Sequence, residues 1–302
     1  MMRSVYYFLQ LSHPLLILGS ILLYSTGAGV VRFLGFGVNW GVFVLGLLWA
    51  IALQLATNYF IEYYNISTDQ ENPHWTPFFG GSSAIGEGKL SQHVPLIAAL
   101  TSLAFLTSIT VLIISNVKPE PIVFIIMGLS FIGSILFSLP PIRLESSGYG
   151  ELITSVVVAF FLPSFAFTLQ VGEIQRYIPM TAFPLTLIYL AMMITFEFPV
   201  YAADIKFNKK TMLTRMGWQN GMNFQNFLVI IAYILSLIMF GLGLPRIVVL
   251  HGFLSLPFAL FQLWLFWRIR QGTKPNWTVL SFSSLATFGT MTYFIALAYW
   301  TR

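Results

Sequence analysis

The stretch of sequence that decides the fold covers residues 40–60 and reads WGVFVLGLLWAIALQLATNYF. These 21 residues contain no charged side chain, and roughly 20 apolar residues in an α-helix cross the hydrocarbon core of a bilayer. The apolar run is continuous rather than alternating, which favours a helix, since only helices and closed barrels satisfy their backbone hydrogen bonds in lipid. Residues 40–60 therefore predict a transmembrane helix.

Eight further stretches of the same kind lie along the chain. They cover residues 15–34, 94–115, 121–139, 152–171, 178–198, 227–242, 247–267 and 279–300. No soluble segment of domain size separates them, so we predict an all-α, polytopic integral membrane protein. Its nine or so transmembrane helices form one bundle, and residues 1–302 form a single domain.

The composition supports a membrane protein and excludes several kinds of site. Hydrophobic residues make up 57% of the chain and charged residues only 8%, whereas about a quarter of a soluble domain is charged. The absence of cysteine excludes disulfides, thiolate metal sites and a cysteine nucleophile. The net charge of +5 suits basic loops beside anionic lipids, so we predict membrane lipids, and no nucleic acid, as partners.

The charged residues are concentrated on one face of the membrane. Nine spans place the N-terminus and the loops after spans 2, 4, 6 and 8 on the same side. That side holds 10 of the 15 basic residues, which predicts that it is cytoplasmic. It also holds 8 of the 10 acidic residues, which the positive-inside rule does not explain. We infer that a site on this face uses carboxylates.

A first polar cluster lies at the end of span 2. Its members follow at intervals of 4, 4, 3 and 4 and are Gln54, Asn58, Glu62, Asn65 and Asp69. This spacing places them on one face of a helix. Polar groups at this depth usually face a bundle interior or a wet cavity, so we predict a central cavity that opens near the cytoplasmic face. Hydrogen bonding between helices by Gln54 and Asn58 is the alternative.

The loop beyond this cluster covers residues 69–89 and reads DQENPHWTPFFGGSSAIGEGK. Its acids, including Asp69 and Glu71, precede a Gly/Ser-rich turn and Lys89. This order suits a metal-bridged phosphate, because carboxylates hold Mg²⁺ while backbone N–H groups and lysine bind phosphate oxygens. A flexible loop at the membrane surface is the alternative.

A second polar cluster closes span 6. Glu197, Tyr201 and Asp204 recur at intervals of 4 and 3 and share one face if the helix continues. Three basic residues follow, which are Lys206, Lys209 and Lys210. Acids beside bases fit a metal–diphosphate site, and a basic loop bound to acidic lipid headgroups is the alternative.

Weaker signals lie elsewhere. Arg143 ends the sequence PPIR at residues 140–143 and can clamp a phosphate, although this sequence is also an ordinary helix stop. His13, His93 and His251 stand singly at span edges without the spacing of metal ligands. We therefore predict no metal role for these three histidines.

The two clusters resemble the acidic motifs of the UbiA superfamily of intramembrane prenyltransferases, in particular its menaquinone-pathway branch. ATNYFIEYYN at residues 56–65 and PFFGGS at 77–82 are similar to ATNxxNEYYD and PFxGGS. FPVYAAD at 198–204, NKKT at 208–211 and MG at 216–217 are similar to FPDxxxD, GKxT and LG. PPIRL at 140–144 and GYGE at 148–151 resemble the loop between spans 4 and 5. Asn65 and Val200 stand where this family has aspartates.

The resemblance implies a Mg²⁺-dependent enzyme that transfers a polyprenyl group from its diphosphate to a lipophilic aromatic or quinone-precursor acceptor. The metal ligands that it implies are Glu62, Asp69, Glu71 and Asp204, of which Glu62, Asp69 and Asp204 are catalytic. The substrate-binding residues that it implies are Asn58, Asn65, Arg143, Lys206, Lys209 and Lys210.

Two other functions remain open at this stage. A catalytically degenerate member, lacking the carboxylates replaced by Asn65 and Val200, would bind a lipid or quinone, or serve as a structural subunit with protein partners. A secondary transporter is the third possibility, but the chain shows no internal repeat with paired broken helices.

Overall fold

The computed structural model describes residues 2–66, 81–86 and 89–301 of the chain, so the predicted ligands Asp69 and Glu71 lie outside the described residues. Within these ranges the structure is helical and no strand is formed. The elements, in order, are α1 (Met2–Leu11), α2 (Pro14–Phe33), α3 (Trp40–Tyr64), α4 (Val94–Val117), α5 (Pro121–Ser138), α6 (Gly150–Val171), α7 (Tyr177–Glu197), α8 (Tyr201–Lys206), α9 (Met212–Met216), α10 (Trp218–Gly241), α11 (Arg246–Phe253), α12 (Leu256–Arg270) and α13 (Trp277–Trp300).

The membrane-spanning helices agree with the sequence-based prediction. In the described part of the chain, eight helices are long and apolar enough to cross a bilayer, and α11 with α12 forms a ninth span bent by 41°. The break lies at residues 254–255, and Pro257 lies in the first turn of α12. Proline is compatible with the first turn of a helix but would disrupt a helix that continued through this position. The prediction of an all-α, multi-pass membrane bundle is confirmed.

Two local features differ from the prediction. The seventh span was expected to begin at residue 227, but α10 begins at Trp218, because polar residues interrupt the apolar run without interrupting the helix. The short helix α1 was not predicted. It exposes Val5, Tyr6 and Leu9 and packs against α3. Ser12, the residue that follows it, forms a 2.6 Å hydrogen bond with the Tyr59 hydroxyl of α3. A short helix with one apolar face suits the membrane interface.

The direction of the spans gathers the polar clusters at one end of the bundle. Because successive spans alternate in direction, the carboxyl ends of α3, α5 and α7 meet the amino ends of α2 and α6 there. Helix α7 is the most buried span and packs against α10 and α13, whereas α4 is the least buried. The core of the bundle therefore lies around α7, and its polar end is formed by the loops that follow α3, α5 and α7.

Helices α2 and α6 cross with their backbones in close contact. A Cβ atom added at Gly27 of α2 would lie 2.1 Å from the carbonyl oxygen of Pro163 in α6. Small residues allow such close approach of helix backbones in membranes. Only glycine fits at this crossing.

We therefore expect Gly27→Ala to destabilise the bundle by about 1–3 kcal/mol, because the added methyl group meets backbone rather than a movable side chain. Thermal unfolding in detergent, followed by size-exclusion chromatography, measures the effect. Gly128→Ala is the matched control, since a Cβ at Gly128 in α5 meets no atom within 4 Å. Equal melting temperatures for the two variants would show that the close crossing is not a constraint.

Candidate functional site

The polar end of the bundle encloses a cavity of about 80 Å³, which we call the polar chamber. Its wall comes from α2, α3, α6 and α7 and from the segments that follow α3, α5 and α7. The ionisable side chains that line it are His13, Glu62, Glu145, Glu151, Glu197, Asp204 and Lys209. Glu62 and Asp204 both line this cavity, and five of its side chains are carboxylates. The chamber therefore has an acidic wall.

A second cavity of about 80 Å³ adjoins the first, and we call it the apolar chamber. Trp49, Leu53, Phe165 and Tyr189 are among its lining side chains, and a π-helical turn of α6, Val156–Phe161, forms part of its wall. The residues that line both chambers are Leu16, Asn58, Ile61, Phe137, Glu145 and Met193. Because they share these residues, the two chambers form one site with a polar and an apolar side.

The stripe on α3 points into this site. Gln54 donates to Asn58 at 2.8 Å, and Asn58 donates to the backbone carbonyl of Ser12 at 3.1 Å. Asn58, Glu62 and Asn65 are all buried, whereas Gln54 is half-buried and lines the apolar chamber. The polar face of α3 is therefore held inside the bundle by neighbouring polar groups.

Both carboxylate oxygens of Glu62 are occupied. Its Oε1 lies 2.6 Å from His13 Nε2 and accepts from the Ser82 backbone N–H at 2.7 Å, and its Oε2 accepts from Ser82 Oγ at 2.6 Å. The expectation that His13 stands alone is wrong, because the start of α2 brings it against the end of α3. Glu62 thus joins three separate segments, and these partners compete with any metal for its oxygens.

Glu145 lies at the centre of a second group. Its Oε1 accepts from Asn65 Nδ2 at 2.6 Å, its Oε2 pairs with Arg143 Nη2 at 3.3 Å, and Lys209 Nζ forms a salt bridge with it. Arg143 Nη2 also donates to Asn65 Oδ1 at 2.8 Å. Burial alone would raise the pKa of Glu145, but Lys209, Asn65 and Arg143 together bring that pKa below its ordinary value. Glu145 is therefore held ionised by two cations.

Three further carboxylates form the most acidic part of the wall. Glu151 accepts from the backbone N–H of Met212 at 3.1 Å, and Glu197 accepts from that of Leu213 at 3.1 Å. Within the described residues, Glu151 Oε2 and Asp204 Oδ2 are buried and have no hydrogen-bond partner. Burial raises the pKa of Asp204 from 3.8 to about 6, where Lys209 opposes the shift and Glu145 and Glu151 add to it. In this part of the wall the effect of burial and of the neighbouring carboxylates on Asp204 therefore exceeds that of Lys209.

The remaining predicted residues lie outside the chamber. Lys206 and Lys210 are exposed and do not line it, and the Lys206 ammonium lies 5.3 Å from the centre of the Phe207 ring. Val200, which stands where the resembling motif has an aspartate, contributes an apolar side chain to the wall. Of the three predicted lysines, only Lys209 is among the described residues that line the chamber.

Mg²⁺ is the metal that the sequence resemblance implies, and its preferred ligands are oxygens such as those of the chamber carboxylates. Among residues 2–66, 81–86 and 89–301, no three His, Asp or Glu side chains are already arranged to hold a metal ion. Hard cations nevertheless bind carboxylate oxygens, and Glu151 and Asp204 each present a buried oxygen without a partner. The residues present therefore fit a metal that completes its coordination with oxygens from a ligand.

The sequence predicted no site role for His13, Glu145 or Glu151, all of which line the chamber, whereas Glu197 lies in the predicted cluster that closes span 6. Glu145 and Glu151 belong to the acids concentrated on the predicted cytoplasmic face. That concentration was the one signal that could have identified them. Glu145 pairs with Asn65, which lies 80 positions earlier in the chain, so no pattern in the neighbouring sequence predicts this contact.

The sequence matches no known family profile and no curated protein. Solved structures do match over nearly the whole chain. A UbiA homologue from Archaeoglobus fulgidus bound to GPP and Mg²⁺ is similar with a TM-score of 0.66 and 17% identity, covering 98% of this chain and 100% of that one. The apo structure of a UbiA homologue from Aeropyrum pernix K1 is similar with a TM-score of 0.66 and 10% identity, covering 93% and 96%.

A third similar structure is that of a digeranylgeranylglyceryl phosphate synthase, with a TM-score of 0.59 and 13% identity over 98% of both chains. At these identities the comparisons establish the fold. This chain has the fold of the UbiA homologues over almost its entire length, as its motifs suggested.

The raised pKa of Asp204 predicts a dependence of stability on pH. Because the folded state binds the Asp204 proton more tightly than the unfolded state, stability falls as pH rises from about 4 to about 6 and stays low above that range. The loss of folding stability amounts to at most about 3 kcal/mol. Asp204→Asn removes this pH-dependent loss, so in EDTA the variant should have a higher melting temperature than the parent at about pH 8, and the difference should vanish near pH 4.

Detergent-solubilised protein melted across this pH range provides the measurement. Glu173→Gln is the control, because Glu173 is exposed and outside the chamber. A difference between Asp204→Asn and the parent that is independent of pH would contradict the assignment of Asp204 as a buried carboxyl group with a raised pKa.

Proposed function

We propose that this chain is a member of the UbiA superfamily and a Mg²⁺-dependent prenyltransferase. It transfers a polyprenyl group from its diphosphate to a lipophilic aromatic or quinone-precursor acceptor within the membrane. The observation that carries the proposal is the pair of adjoining chambers inside a bundle of this fold. One chamber is lined by five carboxylates and Lys209, and the other is lined mainly by apolar side chains.

The polar chamber supplies groups for the diphosphate. Lys209 would donate to its oxygens from the chamber wall, and Arg143 would do so from beside Glu145. Asp204 and Glu151, each of which has a buried oxygen without a hydrogen-bond partner in the described residues, would hold Mg²⁺. Mg²⁺, when bound, neutralises the charge that develops on the departing diphosphate. Lys209 has the same effect, because its ammonium lies within the chamber wall.

The apolar chamber supplies the place for the prenyl chain. Leu53, Val158 and Leu162 provide aliphatic contacts, which exclude water from the allylic carbon while its bond to the diphosphate oxygen breaks. Trp49, Phe165 and Tyr189 line the same cavity, and the faces of their rings attract the positive charge that forms on the carbon. The acceptor then forms a bond to this carbon in place of the broken C–O bond, and the proton that the acceptor loses passes to the released diphosphate.

The excess of basic residues on the loops at this end of the bundle supports a cytoplasmic position for the polar chamber. The same loops carry Lys206 and Lys210, which are exposed. We place these two lysines beside anionic lipid headgroups or an incoming diphosphate rather than in the chamber.

A second candidate function is a binding or structural subunit that keeps the fold without catalysis. Glu62 supports it, since His13 and Ser82 occupy both of its oxygens. Asn65 and Val200 support it as well, since neither is a carboxylate. Such a subunit would bind a polyprenyl lipid or quinone in the apolar chamber and have protein partners in the membrane.

Purified protein in detergent or nanodiscs, supplied with polyprenyl diphosphate, Mg²⁺ and a panel of aromatic acceptors, tests these proposals through release of pyrophosphate. We expect turnover by the parent and a loss of at least about 100-fold in Asp204→Asn, on the scale of removing one charge-stabilising group from a transition state. Glu173→Gln should retain parental activity.

The outcomes separate the two candidate functions. A parent that binds polyprenyl diphosphate but releases no pyrophosphate at any Mg²⁺ concentration identifies the binding subunit. Turnover that survives Asp204→Asn removes Asp204 from the metal site. A parent that neither binds nor turns over polyprenyl diphosphate, and that also binds no polyprenyl lipid or quinone, overturns both functions.

A further inference from the structure

Glu145 occupies the position that a bound anion would take in the polar chamber. Its carboxylate accepts a salt bridge from Lys209 and another from Arg143 at 3.3 Å, and Asn65 donates to it at 2.6 Å. These three residues come from separate parts of the chain and converge on one carboxyl group. A cationic pocket with this donor set is suited to an anion, and here a side chain of the protein fills it.

The local backbone fixes Glu145 in this place. It lies in a single 3₁₀ turn, Leu144–Ser146, and a Cβ added at Gly150 would lie 2.7 Å from the Glu145 Cα. A bridge between the backbones of Ser147 and Lys210 joins this loop to the segment that carries Lys209. Glu145 and Lys209 are therefore brought together by backbone structure as well as by their charges.

The Glu145 side chain is buried and lines both chambers. The proposed diphosphate must lie where the two chambers meet, since its phosphates belong to the polar side and its prenyl chain to the apolar side. A diphosphate in that position would meet the Glu145 carboxylate. Two anions at one pair of cations repel each other strongly in a buried site.

We propose that Glu145 is an internal counter-anion that competes with the diphosphate for Lys209 and Arg143, and thereby makes the site reject diphosphate that carries no metal. The proposal rests on the proposed function for the identity of its ligand. Glu145 is a specificity-determining residue in this scheme: Mg²⁺ offsets the negative charge of the diphosphate and of the chamber wall, and metal-free diphosphate must displace Glu145 unaided.

A tethered competitor acts at an effective concentration in the millimolar range, so its removal should produce a large change in affinity. We expect Glu145→Gln to bind inorganic pyrophosphate in EDTA at least about tenfold more tightly than the parent does. Isothermal titration calorimetry on detergent-solubilised protein measures both dissociation constants. In excess Mg²⁺ the difference between variant and parent should become smaller.

Three variants control the measurement. Glu173→Gln makes the same change in net charge on an exposed residue and should leave pyrophosphate affinity unchanged. Lys209→Met added to Glu145→Gln should abolish the gain. Glu145→Asp keeps the charge on a side chain one methylene shorter, and should give a smaller gain. It also serves as the deciding variant if Glu145→Gln does not yield folded, monodisperse protein.

Equal or weaker pyrophosphate binding by Glu145→Gln, or by Glu145→Asp in its place, overturns the inference. This outcome is separate from failure of the proposed function, because the titration needs no prenyl transfer. If the parent is inactive with every polyprenyl diphosphate but Glu145→Gln binds pyrophosphate tenfold more tightly, the role of Glu145 as a counter-anion is supported and the proposed enzymatic activity is contradicted.

Discussion

The burial of five carboxylates at one end of a membrane bundle is the constraint on which the site depends. An ionised carboxylate removed from water is strongly destabilising unless a cation or hydrogen-bond donors compensate it. Glu62, Glu145, Glu151, Glu197 and Asp204 are each at most 8% exposed. The way in which each is compensated decides what the chamber can bind.

The five groups are compensated in three ways. Glu62 is compensated by a histidine and a serine, which fixes the packing of α2, α3 and the segment 81–86. Glu145 is compensated by Lys209 and Arg143. Glu151 and Glu197 accept backbone N–H groups at the start of α9, and Glu151 and Asp204 each retain a buried oxygen without a partner in the described residues. The third group is thus the part of the wall that a cation would stabilise.

Asn65, which stands where the resembling motif has an aspartate, has a structural role in this arrangement. Asn65 donates to Glu145 and accepts from Arg143. An aspartate could accept from Arg143 but could not donate to Glu145, because its carboxylate has no N–H. An aspartate there would instead face Glu145 across 2.6 Å. Asn65 and Glu145 therefore form a matched pair, and the charge absent at position 65 is present at position 145.

The spans could be predicted from the sequence because the length of an apolar run is a property of neighbouring residues. The position of Glu62 and Asp204 on a cavity could be predicted for a similar reason, since the spacing of polar residues along one helix face is also visible locally. It missed the role of His13, whose partner Glu62 lies 49 positions away. It also missed Glu145, whose partners are assembled by loops. Lys206, Lys209 and Lys210 looked equivalent in sequence, but only Lys209 reaches the chamber, because the short helix α8 and the turn after it direct the neighbouring lysines outward.

The central claim is that the two chambers hold the two halves of one prenyl diphosphate. An experimental structure of the protein with polyprenyl diphosphate and Mg²⁺ tests it most directly. Our account predicts the diphosphate beside Lys209, Asp204 and Glu151, the prenyl chain along Trp49 and Tyr189, and Glu145 turned away from Lys209. A ligand bound elsewhere, or a chamber in which Glu145 still bridges Lys209 and Arg143 beside a bound diphosphate, would contradict it.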